Sequence, residues 1–204
     1  MRVPLLVAVA LISIPLISTP AAAQQANGQI AGNFRLMSAE GKIVSLNQFR
    51  GKPVVLEWNN PGCPFVQKHY DSGNMQATQR KAVEAGAVWL TINSGAPGKQ
   101  GHLDPSGAKA FVRANKAYPT AYLLDPQGRV GKGYAAKTTP HLYLIDAGGR
   151  LVYQGAIDDK PTADKADIVG ARNHLLAALG EVKAGKKVSV AETRPYGCSV
   201  KYAG

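Results

Sequence analysis

One stretch decides the fold: residues 54–66 are Val-Val-Leu-Glu-Trp-Asn-Asn-Pro-Gly-Cys-Pro-Phe-Val. Its first five residues form a near-continuous apolar run, which favours a buried central strand over an edge strand. Residues 59–62 are a dense turn signal. Pro64 suits the first turn of a helix, because its missing N–H would be unpaired there anyway. The stretch therefore predicts a strand, a turn, and a helix that opens at Cys63 and runs to about residue 70.

Cys63 stands where the predicted helix begins, and this position has a chemical consequence. The unpaired N–H groups and the positive end of the helix dipole favour a thiolate over a thiol. A free cysteine has a pKa of about 8.5, and helix N-termini lower it. Cys63 is therefore a candidate nucleophile. We expect Lys68, one turn further on, to be a solvated surface residue.

Strand and helix patterns alternate on both sides of this stretch. Residues 34–37 and 42–46 flank a turn that contains Gly41, and they predict an N-terminal β-hairpin. The order of the elements predicts an α/β fold with a central mixed β-sheet flanked by helices. Further elements are predicted as a helix over 75–85, a strand over 87–93, a helix from Ser106 to about 117, a strand over 123–125, a helix over 129–136, paired strands over 141–146 and 150–155, and a helix with apolar residues at 168, 171, 175, 176 and 179 that Gly180 ends.

The composition excludes several classes of protein. The chain has 204 residues, which suits a single domain, and 45% of them are hydrophobic against 18% charged, so the chain is foldable rather than disordered. Two cysteines build neither a disulfide-dense small fold nor a four-cysteine zinc site. The net charge of +11 is spread along the chain without a run of five Lys or Arg, so we expect no nucleic-acid partner.

Residues 1–23 are predicted to be a cleaved signal peptide. Arg2 gives the positive start, residues 4–17 are almost wholly apolar, and three alanines at 21–23 supply the small residues of a cleavage site. The apolar run is short of the roughly 20 residues that span a membrane, although an uncleaved N-terminal anchor is the alternative. Cleavage would leave a domain over 24–204, with a tail over 186–204, in the periplasm or outside the cell, where disulfides persist and no stable membrane insertion is expected.

Four segments carry a resemblance to a known family. Residues 54–66 resemble the strand, active-site turn and helix of the thioredoxin-like superfamily. Residues 139–146, Thr-Pro-His-Leu-Tyr-Leu-Ile-Asp, resemble its cis-proline loop and following strand, and residues 149–158 resemble its closing hairpin. Residues 196–201, Tyr-Gly-Cys-Ser-Val-Lys, are similar to the tail of a peroxiredoxin-like subgroup, related to alkyl hydroperoxide reductase and thiol-specific antioxidant. The resemblance implies a thioredoxin-like fold and a thiol-dependent activity.

The resemblance also implies roles for both cysteines. Cys63 would be the attacking thiolate, acting on a hydroperoxide or on a disulfide, and Cys198 would resolve the intermediate. Two departures stand out: Val66 occupies the position of the second thioredoxin cysteine, and Asn60 that of the peroxiredoxin Thr or Ser. Alternatives remain open, because the pair could be a static bridge, or both thiols could be unpaired.

The predicted substrate-binding residues follow from the same resemblance. They surround Cys63 or precede the strand over 141–146, and we expect Pro140 to be cis because of its match to the family loop. Trp58 is expected in the core or in the pocket wall, and Asp158 and Asp159 are expected to cap or end the closing hairpin. The full set is Trp58, Asn60, Pro64, Thr139 and Pro140.

We expect neither a cofactor nor a metal. His69 lies six residues after Cys63, a spacing that does not place both on one helical face. The expected substrate is a hydroperoxide or a protein disulfide, with a thiol electron donor that the sequence does not identify. The alternatives are a thiol–disulfide oxidoreductase of exported proteins, or a non-catalytic interaction module held by a Cys63–Cys198 bridge.

Overall fold

The computed structural model describes residues 25–204, and the predicted signal peptide lies outside them. Helix and strand alternate along the first half of this part, and a hairpin, a helix and an extended tail close it. Within residues 25–204, no helix combines the length and the apolar character needed to cross a membrane. The strands are β1 (Arg35–Ser38), β2 (Ile43–Ser45), β3 (Val54–Trp58), β4 (Val88–Asn93), β5 (Ala121–Leu124), β6 (Thr138–Thr139), β7 (His141–Ile145), β8 (Leu151–Gly155) and β9 (Cys198–Ser199).

The larger sheet is mixed and has the strand order β2-β1-β5-β4-β3-β7-β8. Strand β3 lies inside it, parallel to β4 on one side and antiparallel to β7 on the other. The predicted hairpin is confirmed as β1 and β2, which pair antiparallel at one edge of the sheet. Strands β6 and β9 form a separate antiparallel pair. The predicted α/β class, with a central mixed sheet, is confirmed.

Two apolar layers cover the two faces of this sheet. Alternate residues of a strand point to opposite faces, so Leu56 and Trp58 enter one layer and Val55 enters the other. All three side chains are inaccessible to solvent, which explains why the sequence of β3 is apolar almost throughout. The layer of Val55 also contains residues from the helices, among them Val66, Met75 and Leu175.

The helices agree with the predicted positions in most cases, and differ at some ends. They are α1 (Pro64–Asp71), α2 (Asn74–Glu84), α3 (Pro105–Ala114), α4 (Arg129–Gly133) and α5 (His174–Lys183), with short 3₁₀ helices at Leu46–Phe49 and Lys165–Ile168. Helix α4 is shorter than predicted because Ala135 has a positive φ of 52°.

The predicted start of α3 at Ser106 is wrong. Asp104 is the N-cap, and its carboxylate accepts a hydrogen bond of 2.7 Å from the N–H of Gly107. Pro105 then occupies the first helical position, where a missing N–H costs nothing. The helix ends at Ala114 rather than near 117, because Lys116 has a φ of 49°.

The last predicted helix is also corrected. Ile168 belongs to a 3₁₀ helix, and α5 begins only at His174. Asn173 is its N-cap, and the Asn173 side chain accepts a hydrogen bond of 2.9 Å from the N–H of Leu176. Gly180 does not end the helix, since its carbonyl still accepts a helical hydrogen bond from the N–H of Ala184 at 3.1 Å. One glycine weakens a helix by only about 1 kcal/mol, and the packed apolar face of α5 outweighs this.

Candidate active site

Cys63 is the N-cap residue of α1, with φ −88° and ψ 122°. Its N–H donates to the Asn60 carbonyl at 3.0 Å, which closes the turn after β3. Its own carbonyl accepts from the N–H groups of Val66 and Gln67, both at 2.9 Å, and so starts the helix. The strand, turn and helix predicted from residues 54–66 therefore place Cys63 at the predicted position.

A second segment brings the other cysteine to this point. The Thr139–Pro140 peptide bond is cis, as predicted. Just before it, Thr139 of β6 is the register partner of Cys198 in β9. The two Sγ atoms of Cys63 and Cys198 lie 2.7 Å apart, and the Cys63 thiol donates to the Thr139 carbonyl at 3.1 Å. Both cysteines are free thiols.

The surroundings divide the two thiols chemically. Burial alone raises the pKa of Cys63, but the polar groups of Cys198, Val66 and Thr139 near its sulfur outweigh the burial, so the pKa lies below its ordinary value. Burial and the adjoining Cys63 sulfur raise the pKa of Cys198 to about 11. Cys63 therefore loses its proton at a lower pH than Cys198, and below that pH its thiol donates to the Thr139 carbonyl.

The tail, residues 186–204, covers Cys63. Cys63 has no solvent-exposed surface, whereas Cys198 is partly exposed. Gly197 crosses the Thr139 carbonyl so closely that a Cβ there would overlap the carbonyl oxygen, and its φ of 131° also requires glycine. Beyond β9, the Val200 N–H donates to the Lys137 carbonyl at 3.1 Å. Among the described residues, those lining two cavities of about 570 and 740 Å³ include neither cysteine.

Asn60 holds the turn that carries Cys63. Its Oδ1 accepts from the Gly62 N–H at 2.9 Å, and its Nδ2 donates to Gln100 Oε1 at 3.0 Å. The Gln100 amide returns a hydrogen bond to the Gly62 carbonyl. Both polar atoms of the Asn60 amide thus bond within the loop, and these bonds hold the turn in place.

The other predicted substrate-binding residues lie at different depths. Pro64 is exposed at the first position of α1, and Thr139 and Pro140 are buried beside the cysteine pair. Trp58 has no exposed surface and packs in the apolar layer on the face of the sheet opposite to Cys63. Its Nε1 donates to Ser94 Oγ at 3.0 Å. The structure therefore gathers Pro64, Thr139 and Pro140 around Cys63 and places Trp58 apart from it.

The expectation that Lys68 is a solvated residue is wrong. Only 1% of its surface is exposed, because the side chain lies on the face of α1 that the tail covers. Its Nζ donates to the Lys160 carbonyl at 2.7 Å and lies 5.6 Å from the ring centre of Tyr196. A lysine gains from such an aromatic face when water is excluded.

Sequence reasoning missed a buried carboxylate in β3. Glu57 is inaccessible to solvent, and its two oxygens accept five hydrogen bonds of 2.7–3.2 Å. The only signal for it was a charged residue within an otherwise apolar strand. The donors are the side chains of Asn59, Tyr70, Gln79, Trp89 and Thr91.

Sequence reasoning also missed Tyr196 as a contact residue of the site. Its phenol meets His69 of α1 and Asp158, which follows β8. Asp158 also accepts from the Lys160 N–H at 3.0 Å, in line with the turn-capping role expected for it. Across residues 25–204, no group of three His, Cys, Asp or Glu residues is arranged to hold a metal ion.

The fold and the site together define a redoxin of the thioredoxin-like superfamily. Residues 27–154 match the AhpC/TSA family, and the chain belongs to this family. The match ends before the tail that carries Cys198. No curated protein matches the chain.

Solved structures share the fold. A hypothetical protein from Sinorhizobium meliloti 1021 is 26% identical, with a TM-score of 0.75 over 89% of this chain and 97% of that one. An uncharacterized conserved protein from Geobacillus kaustophilus is 23% identical, with a TM-score of 0.75 over 94% and 98% of the two chains. A protein described as the thiol:disulfide interchange protein DsbE from Chlorobium tepidum is 25% identical, with a TM-score of 0.57 over 77% and 100%.

Proposed function

We propose that this protein is an exported thiol oxidoreductase of peroxiredoxin-like type. Cys63 is the nucleophile, Cys198 is the resolving cysteine, and the oxidised substrate is a hydroperoxide. One observation carries the proposal: the thiol of Cys63, the N-cap residue of α1, has a lowered pKa and lies 2.7 Å from a second thiol whose pKa is raised. A thiolate beside a protonated thiol is suited to attack an oxidant and then to form a disulfide.

The reaction on a hydroperoxide proceeds in two steps. The Cys63 thiolate attacks the terminal oxygen, the O–O bond breaks, and an alcohol leaves after taking up a proton, so that Cys63 becomes a sulfenic acid. The Cys198 sulfur then attacks the Cys63 sulfur, the S–O bond breaks, and water leaves with the Cys198 proton. The resulting disulfide takes two electrons from a thiol donor to restore both thiols.

A disulfide substrate is the second candidate, and the Chlorobium tepidum relative with its thiol:disulfide interchange description favours it. Here Cys63 would attack one sulfur of the substrate and release the other as a thiolate. Cys198 would then attack the Cys63 sulfur of the mixed disulfide and release the second thiolate. Both candidates end with the same Cys63–Cys198 disulfide.

The cover over the site favours the hydroperoxide. A protein substrate that lies along Thr139 would have to displace β9, because Cys198 already pairs with Thr139 there. A hydroperoxide is small, so a modest opening of the tail beside Cys63 admits it. Asn60 departs from the peroxiredoxin pattern, but it keeps a polar group in the turn beside the nucleophile.

The experiment follows the oxidation state of each cysteine. Reduced wild type, Cys63→Ser and Cys198→Ser are exposed separately to cumene hydroperoxide and to oxidised glutathione, and the products are identified by mass spectrometry with a sulfenic-acid trap. We expect wild type to form the Cys63–Cys198 disulfide with the hydroperoxide, Cys198→Ser to accumulate a trapped sulfenic acid on Cys63, and Cys63→Ser to remain unmodified. A reaction with oxidised glutathione alone would replace the peroxidase assignment with the disulfide candidate.

A static bridge gives a different result. The pair would then stay oxidised in millimolar glutathione, and Cys63→Ser would leave the function of the protein unchanged. Either finding would exclude the catalytic role.

We propose in addition that export removes residues 1–23, which leaves a single domain over 24–204. The positive start, the apolar run and the alanines of the sequence support this. The mass of the protein recovered from outside the cytoplasm checks it. A mature chain that still begins at Met1 would favour the uncleaved anchor.

A further inference from the structure

Tyr196 lies two residues before Cys198 and contacts the helix of the nucleophile. Its ring meets Phe65 edge to face, with the ring centres 5.9 Å apart, and Lys68 Nζ lies 5.6 Å above it. Its Oη lies 3.0 Å from His69 Nε2. Three residues of α1, between two and six positions beyond Cys63, thus touch one side chain of the tail.

Hydrogen bonds fix the direction of this contact. The Asn74 amide donates to His69 Nδ1 at 2.7 Å, so the proton of the neutral ring is on Nε2 and is donated to Tyr196 Oη. The Tyr196 hydroxyl in turn donates to Asp158 Oδ1 at 2.5 Å. Burial lowers the pKa of His69 to about 4, and burial with the Asp158 contact raises that of Tyr196, so both groups hold the protonation that this order needs.

The contact ties together parts of the chain that are far apart in sequence. His69 belongs to α1, Asp158 follows β8, and Tyr196 belongs to the tail. His69 and Asp158 are buried, at 0% and 2% exposure, so water competes little for the phenol. A hydrogen bond to a charged, buried acceptor is stronger than one at the surface.

We propose that Tyr196 is the positioning residue for the resolving cysteine. By bonding to Asp158 and His69, its phenol fixes the segment before Gly197 and so holds the Cys198 thiol against Cys63. The inference rests on the proposed function, in which Cys198 resolves the intermediate. Tyr196 touches no reacting atom, and it acts through the effective concentration of one thiol at the other.

A second tail tyrosine provides a matched control. Tyr202 lies four residues beyond Cys198, its hydroxyl donates to the Ala136 carbonyl at 2.8 Å, and its ring packs beside Gly128 and Gly131. Tyr196→Phe and Tyr202→Phe each remove one hydroxyl and keep the ring. Only the first removes a bond to the Asp158 carboxylate.

The experiment measures the equilibrium of the thiol pair in full-length protein with mixtures of reduced and oxidised glutathione, quenched with an alkylating reagent. We expect Tyr196→Phe to lower the effective concentration of the pair at least about tenfold, as the loss of a charge-assisted hydrogen bond predicts. Tyr202→Phe should remain within about twofold of wild type. Equal losses in the two variants, or no loss in Tyr196→Phe, would overturn the inference.

Asp158→Asn is a second variant that tests the same hydrogen bond if Tyr196→Phe unfolds. The substitution keeps an oxygen that accepts from the phenol, but the charge is lost. We therefore expect the effective concentration of the thiol pair to fall by about threefold or more, which is less than in Tyr196→Phe. An unchanged effective concentration would also overturn the inference. The readout needs neither a hydroperoxide nor an electron donor. If Cys63 ignores hydroperoxides while the glutathione equilibrium shifts as expected, the proposed peroxidase function fails and the positioning role stands.

Discussion

Thr139 and Cys198 are register partners in the antiparallel pair of β6 and β9, and the carbonyl of the same Thr139 accepts from the Cys63 thiol at 3.1 Å. One residue therefore contacts both members of the thiol pair. Any movement of the tail relative to Thr139 changes the distance between the two sulfurs and the set of hydrogen bonds around Cys63. The ionisation of Cys63 therefore depends on the placement of the tail.

The reduced protein should titrate its two thiols in separate steps. The surroundings lower the pKa of Cys63 from its ordinary value and raise that of Cys198 to about 11. The thiolate is the reactive form, so alkylation of Cys63 falls as the pH drops through its own pKa and is nearly constant above it. Ultraviolet absorbance of the thiolate measures both steps. Cys63→Ser should show one step only, that of Cys198, at a lower pH than in wild type because the Cys63 sulfur no longer raises its pKa. A first step at or above the ordinary value would contradict the assignment.

Gly197→Ala should release the tail. A Cβ at this position overlaps the Thr139 carbonyl oxygen, and the φ of 131° disfavours any side chain. We expect alkylation of Cys63 to become at least about tenfold faster. A fall of about 1.4 kcal/mol in the free energy of opening the tail raises the population of the open form tenfold. The control is Gly185→Ala, which has a positive φ of 68° but no atom near the added Cβ. The same acceleration in both variants would refute the overlap as the cause.

Glu57→Gln should destabilise the fold. The substitution replaces one accepting oxygen by an NH₂ donor that faces the side chains now donating to Glu57, and it removes their charged acceptor. We expect the free energy of unfolding to fall by about 2–3 kcal/mol in urea titrations. Glu40→Gln, at an exposed position, should stay within about 0.5 kcal/mol of wild type. A similar small change in both variants would mean that the buried donors find other partners.

Asn60→Ala should disturb the turn rather than the chemistry of the thiol. It removes the acceptor for the Gly62 N–H and the contact with Gln100, so we expect a loss of about 1–2 kcal/mol in unfolding free energy. Oxidation of Cys63 by hydroperoxide should also become slower, because the turn no longer fixes the first residues of α1. Gln100→Ala removes the hydrogen bond to the Gly62 carbonyl but leaves the one from the Gly62 N–H to Asn60 Oδ1, so it should have the smaller effect on both measurements. An Asn60→Ala variant with normal stability and slow oxidation would instead indicate contact with the substrate.

The parts of the fold that were predicted correctly depend on local signals. Strand β3 was placed residue for residue from its apolar run, and the N-terminal hairpin from the turn around Gly41. The cis bond before Pro140 followed from the resemblance of its segment. The start of α3 was missed because Asp104 and Ser106 are both suitable capping residues, and only the folded backbone shows which one reaches a free N–H.

The contacts that were missed join residues far apart in sequence. Lys68 looks like a surface residue within α1, and it becomes buried only because Tyr196 returns to it from the tail. The contact of Asp158 was missed for the same reason. The residues around Asp158 predict a turn cap, whereas Tyr196, whose phenol bonds to it, lies 38 residues away in the sequence. The two cysteines were paired from the resemblance, but no pattern along the chain indicates that Tyr196 lies between the helix of one and the strand of the other.

The separation of Cys63 and Cys198 along the chain has a consequence for the stability of the oxidised protein. Cys63 and Cys198 are separated by 135 positions, so a bond between their sulfurs would enclose most of the described chain in one covalent loop. In the chain-entropy account, closing a loop of this size disfavours the unfolded state by about 5 kcal/mol. Each turnover would then pass through a form that resists heat and proteases better than the resting dithiol. A cell that runs short of reductant would accumulate the more durable of the two forms.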